Sequence, residues 1–240
     1  FAAINGTDPL FPVLGSQNFV YRDLFGALLI GLLAGVGARV FAWMLRGAKR
    51  LATGPRPWVF TCLAGVVIGG SFVLGRLLTG ESLLVGSGYH VLTWATDPSR
   101  SVWVVLAILG LRCLATSATV AGGGVGGLFV PLVVAGALTG VIVGHSVNRA
   151  DLGLFVVIGV AAFLGAGYRV PLAAVMFVAE TTGRPAYVVP GLIAAVVAEL
   201  VMGESSVTSY QRNSPRLDPS PVRAEEHAAE PKSGGRQRRD

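Results

Sequence analysis

The distribution of charge along the chain restricts its fold more than any other feature. Residues 24–45, 58–78 and 101–120 are apolar runs with one charge each, Arg39, Arg76 and Arg112, and residues 125–147 hold no Asp, Glu, Lys or Arg. A helix of about 20 apolar residues crosses the hydrocarbon core of a bilayer. Runs of that length, repeated along one chain, describe a polytopic all-α membrane protein. Charged side chains make up only 13% of the 240 residues, where a soluble domain carries about 25%. Of the 32 charges, 13 fall in residues 204–240, so the deficit in the rest is deeper still. These features exclude an ordinary soluble enzyme, a disordered chain and a disulfide scaffold.

The net charge of +6 does not indicate a nucleic-acid partner. The tail from 204 holds seven basic and six acidic groups, and most of the other twelve basic groups stand at the ends of apolar runs. That is the pattern of topology signals and not of a phosphate-binding stripe. Arg46, Lys49, Arg50 and Arg56 lie in residues 46–57 with no acid, which makes that segment a cytoplasmic loop. Residues 82–96 are too short to cross and contain Gly86, Gly88 and His90, so they are expected to be re-entrant. Short runs at 152–166, 170–181 and 186–202 complete seven crossings and bring the C-terminus to the cytoplasm. The expected organisation is an extracellular loop at 1–21, a transmembrane helical domain at 22–203, and a largely disordered cytoplasmic tail at 204–240. Phe1 in place of Met fits a piece of a longer protein. Cys62 and Cys113, both inside apolar stretches, are expected to be small buried residues without metal or disulfide.

Glycines four residues apart mark faces where helices approach closely: Gly31 and Gly35, Gly65 and Gly69, and Gly136, Gly140 and Gly144. A different use of glycine occurs at 121–131, Ala-Gly-Gly-Gly-Val-Gly-Gly-Leu-Phe-Val-Pro. Its G-x-G-x-x-G spacing is not a dinucleotide site, because no strand pattern precedes it and no acidic residue follows about 20 positions on. Glycine-rich backbone exposes N–H groups, and a helix is expected to begin near Leu128. A helix start presents unpaired N–H donors and the positive end of the dipole, which favour a small anion. The alternative for the same residues is a packing elbow between two helices. His90 and His145 have no partner at metal-ligand spacing, and no nucleophile has a base, so neither a metal, a cofactor nor an enzyme is read here.

Gly127-Leu128-Phe129-Val130-Pro131 matches the GxFxP motif of the CLC chloride channel and transporter family, which the chain therefore resembles. Gly86-Ser87-Gly88-Tyr89 is similar to the approach to that family's helix L, and Arg169-Val170-Pro171-Leu172 through Glu180-Thr181-Thr182 to its helix P. Residues 24–45 and 58–78 resemble helices J and K. The likeness covers about residues 10–212 and implies the C-terminal half of a CLC-type bundle of tilted, unequal and re-entrant helices, the second half of its inverted repeat. It implies chloride transport by a channel or a chloride/proton antiporter in a bacterial plasma membrane. The backbone N–H groups of Leu128 and Phe129 would coordinate chloride, Gly127, Val130 and Pro131 would shape the site, and a tyrosine hydroxyl would complete it. Tyr210 is the candidate tyrosine, with an interfacial anchor as its other role. The resemblance implies a homodimer through helices at 170–203, with chloride, protons and the lipid bilayer as partners. The family's GSGIP and G(K/R)EGP motifs, with the gating glutamate, are absent, which leaves a non-transporting structural subunit or truncated fragment as the alternative. The tail is too short for paired CBS domains. Arg39, Arg76, Arg112, Glu180 and Glu199 are expected to snorkel or pair locally.

Overall fold

The computed structural model describes residues 21–54, 57–86, 88–147, 152–183 and 185–210. Eight α-helices run through these residues: α1 (Tyr21–Ala52), α2 (Pro57–Thr79), α3 (Tyr89–Ala95), α4 (Val102–Ala121), α5 (Phe129–Val147), α6 (Leu152–Tyr168), α7 (Pro171–Thr182) and α8 (Val188–Met202). Single 3-10 turns occupy Pro185–Tyr187 and Val207–Tyr210. Residues 1–20 of the expected outer loop, the tail beyond Tyr210, Ser87 and Arg56 lie outside the described residues.

Four helices, α1, α2, α4 and α5, are long and apolar enough to span a bilayer, while α6, α7 and α8 are shorter apolar helices of 10–17 residues. The expected re-entrant stretch holds only α3, seven residues long, and Gly80, Gly86 and Gly88 before it all have positive φ. α1 is longer than its apolar run. It continues through Arg46, Lys49 and Arg50, which the charge pattern had assigned to a loop. The apolar run measures only the bilayer-buried part of a helix, and cations at its C-terminal end oppose the macrodipole. The run at 125–147 also begins early, because Val125–Gly127 are non-helical and α5 starts at Phe129.

The core is built around α5 and α6. Every residue of α6 from Leu152 to Gly167 is buried, as is most of α5. Their contact is backbone against backbone. A Cβ on Gly140 would stand 2.0 Å from the Phe155 carbonyl oxygen, and one on Gly159 would stand 2.2 Å from that of Gly136. Only glycine permits so close a crossing. Gly31 and Gly35 of α1 likewise admit α8, where a Cβ would meet the Ala194 and Ala198 carbonyls at 2.8 and 2.7 Å. Gly65 and Gly69 do not follow the expected pattern, since nothing among the described residues lies within 4 Å of either Cβ position. α2 packs on α4 through its other face, where Ala64 and Thr61 receive Gly122. Cys62 is exposed on this uncovered helix and Cys113 is half-buried, so the expectation of two buried thiols fails for Cys62. An apolar environment for a transmembrane helix need not be protein, so apolarity alone does not imply burial in the bundle.

Candidate functional site

α4 ends where the glycines begin. Gly122 N–H donates to the Ala118 carbonyl, Gly123 to Val120 and Gly124 to Thr119, at 2.9, 3.1 and 2.9 Å. Gly123 takes φ 82°, a conformation that bars most side chains. The Thr61 hydroxyl of α2 donates to the Gly122 carbonyl at 3.0 Å and anchors the turn. Residues 123–127 are then exposed, and nothing among the described residues lies within 4 Å of a Cβ on Gly126 or Gly127.

The helix start lies where the motif places it. Leu128 is the cap, since its carbonyl accepts the Leu132 N–H at 3.1 Å. The N–H groups of Leu128, Phe129 and Val130 precede the first intrahelical bond, and none has a backbone acceptor among the described residues. Pro131 occupies the third helical position, where its missing N–H breaks no helical bond. The Leu128 side chain is buried and anchors the cap, while Val130 and Pro131 are half-buried. Phe129 is 41% exposed and packs edge-on against Phe177 of α7, with ring centroids 5.1 Å apart. Three N–H donors and the Phe129 ring thus lie at the end of an exposed glycine-rich segment, and residues 121–131 contain no charged residue.

Gly88 packs against this helix start. A Cβ there would meet Val134 at 2.7 Å and Val130 at 3.0 Å in α5, and Arg112 of α4 at 3.6 Å. Arg112 is the eleventh of the 20 residues of α4. The guanidinium of a residue midway along a spanning helix thus reaches the loop that packs on the first turns of α5. Tyr210 closes the 3-10 turn Val207–Tyr210, and its side chain lies outside the described residues. The turn is nevertheless tied to the same region. Ser206 donates to the Gly167 carbonyl at 3.2 Å, and a Cβ on Gly167 would touch Leu132 of α5 at 2.9 Å.

The other charged positions are mostly occupied as expected. Arg39 donates to the Val201 carbonyl at 3.4 Å, and Arg169 pairs with Glu199 at 3.9 Å. Glu180 is exposed in the last turn of α7. His90 meets Glu81 at 2.7 Å, and Glu81 also lies 3.8 Å from Arg100, which pairs with Asp97 at 3.3 Å. The Ser99 backbone N–H and hydroxyl hold the Asp97 carboxyl below its usual range, with Arg100 adding to the effect. Arg112 is different: among the described residues no acid pairs with it, and it donates from Nε and Nη2 to the Leu83 carbonyl. The charge was visible in the sequence, but the carbonyl that holds it, and the pairing of Phe129 with Phe177, depend on distant segments. A cavity of about 680 Å³ between α1, α4, α5 and α6 is lined by apolar residues apart from Thr139 and Cys113 and shares no residue with the elbow.

The sequence model described as voltage gated chloride channel matches residues 1–203. The chain is 27% identical over 216 residues to the H(+)/Cl(-) exchange transporter ClcA of Vibrio parahaemolyticus, covering 85% of this chain and 46% of that protein. It is 28% identical over 212 residues to ClcA of Klebsiella pneumoniae, covering 84% of this chain and 44% of that one. It spans about half the length of these curated relatives. Among solved structures it is similar to a slow cyanobacterial Cl-/H+ antiporter, with a TM-score of 0.70 and 21% identity, over 88% of this chain and 51% of the other. That likeness establishes the CLC-type fold of the helical bundle.

Proposed function

The chain belongs to the voltage gated chloride channel family, and from that premise we propose that it forms half of a chloride pathway centred on the start of α5. The observation that carries this is the exposed glycine-rich segment 123–127 running into three N–H groups that have no backbone acceptor among the described residues. Chloride entering there would exchange its water for the N–H groups of Leu128 and Phe129. The α5 dipole adds the equivalent of about half a positive charge at that end. Donors without a full charge hold the ion firmly enough to desolvate it and loosely enough to release it. Phe129, half-exposed and braced by Phe177, forms the wall beside the ion. Gly127 keeps the approach clear, and Val130 and Pro131 set the first helical turn. Tyr210 supplies a hydroxyl from the turn that Ser206 ties to α6.

The names of the curated relatives favour proton-coupled exchange over a passive channel. Two such chains pair through α7 and α8, whose outer faces expose Leu172, Met176, Val189, Val196 and Leu200. The basic end of α1 lies in the cytoplasm, as does the C-terminus. Chloride and proton fluxes should be measured in liposomes with the protein made from its whole reading frame. Phe129→Ala combined with deletion of Gly126 should abolish most chloride flux or alter its selectivity. Unchanged flux and selectivity would overturn the assignment.

A further inference from the structure

Arg112 stands midway along a spanning helix, between Leu111 and Cys113, in the least favourable place for a charge. Intramembrane cations normally face an acid, a cavity or the membrane surface. Among the described residues no carboxylate pairs with Arg112. Its Nε donates to the Leu83 carbonyl at 3.0 Å and its Nη2 donates to the same oxygen. Leu83 is buried in the segment before α3. One carbonyl accepting from two donors orients the guanidinium without neutralising it. The third nitrogen, Nη1, points the other way. It lies 3.6 Å from the Cβ position of Gly88, a point that is itself 3.0 Å from Val130 in the first turn of α5. Gly88 has φ 84° and no side chain, so nothing on that residue separates the charge from α5.

We propose that Arg112 is an affinity-setting residue of the anion pathway, a fixed positive charge that acts on the ion at the start of α5 through space and without touching it. The proposal rests on the chloride reading above. It extends that reading because the anion's immediate ligands are then all neutral while the potential they sit in is not. The two bonds to Leu83 fix where the charge stands, and the planar guanidinium fork makes arginine suited to that grip. The ligand class is a small monovalent anion. At an effective dielectric near 20, a unit charge at a separation on the order of 10 Å changes the binding of a monovalent anion roughly tenfold.

The test is the chloride dependence of initial flux in liposomes, again with the protein from its whole reading frame. Arg112→Gln keeps an N–H donor for the Leu83 carbonyl and removes the charge. Arg112→Lys keeps the charge and loses the fork. Arg112→Gln should raise the half-saturating chloride concentration roughly tenfold, while Arg112→Lys should leave it within about threefold although its thermal stability falls. A purely structural residue would give the two variants the same loss. Equal half-saturation in both variants, or no change in Arg112→Gln, would overturn the proposal. If Arg112→Gln does not fold, Arg112→Lys decides: a half-saturating concentration near the parent's supports a charge effect, and a tenfold rise refutes it. If the Phe129 and Gly126 variant leaves flux intact, the chloride reading itself fails. If that variant abolishes flux but Arg112→Gln keeps parental half-saturation, only the role of Arg112 falls.

Discussion

Replacing Gly140 with alanine tests the close crossing of α5 and α6 directly. The added methyl would lie 2.0 Å from the Phe155 carbonyl oxygen, 2.6 Å from its carbon and 3.0 Å from the Val156 Cα. Ordinary contact begins at 3.4 Å, so the shortfall is about 1.4 Å against atoms that are all backbone. No side chain can rotate away, and relief requires the two helices to separate. A radial gap of about 0.5–1 Å already forfeits a quarter to a half of each van der Waals contact. That loss extends along a seam whose residues are almost all buried. Overpacking typically costs about 1–3 kcal/mol, and a backbone-limited site belongs at the upper end. At about 2–4 °C per kcal/mol for a chain of this size, the melting temperature should fall by about 5–10 °C. The assay is thermal challenge of detergent-purified protein followed by size-exclusion chromatography. Gly191→Ala is the control, because its methyl would meet Ala161 and Val175 at 3.7 and 3.8 Å, which is ordinary contact. Melting of Gly140→Ala with the parent, or equal destabilisation of Gly191→Ala, would refute a backbone-limited crossing of α5 and α6.

Further expectations concern the loops. Asp97 has a depressed carboxyl pKa, so its contribution to stability is present above the unfolded value of about 3.9 and is lost as pH falls through the folded value. Ser99→Ala removes the hydroxyl that donates at 2.7 Å but keeps the N–H at 2.9 Å, so the pKa should rise only part of the way to normal, as read by carboxyl NMR titration. Arg169 takes φ 61°, which costs a non-glycine residue about 1 kcal/mol, and its ion pair with Glu199 at 3.9 Å is partly exposed to solvent. Arg169→Gly should therefore change thermal stability by less than about 1 kcal/mol, whereas the β-branched Arg169→Val should destabilise clearly. Equal melting of the two variants would contradict a left-handed residue there.

Much of the bundle was legible because a membrane makes composition informative. A charge every twenty or so residues marks spans, since each charge in hydrocarbon is costly wherever it sits. Gly127 to Pro131 was equally legible, because a glycine run ahead of a helix start is a local pattern that local backbone geometry explains. The helix does begin at Phe129, one residue beyond the expected point. The four-residue glycine spacing was less informative. Gly140 and Gly65 share that spacing with a second glycine, yet one meets backbone at 2.0 Å and the other meets nothing within 4 Å among the described residues. Spacing shows that a face is smooth but does not name what approaches it.

By itself the sequence determined that the chain is a helical membrane protein, where its main spans lie, and where a glycine run meets a helix start. The tertiary structure decided the packing of Gly88 on that helix start, the edge-on contact of Phe177 with Phe129, and the carbonyl that holds Arg112. The physical reason is range. Hydrophobic cost, glycine freedom and helix capping act within a few residues and are written in the local sequence. The partner of a buried charge, or of a bare glycine face, is supplied by segments tens of residues away, and only the packed chain brings them together.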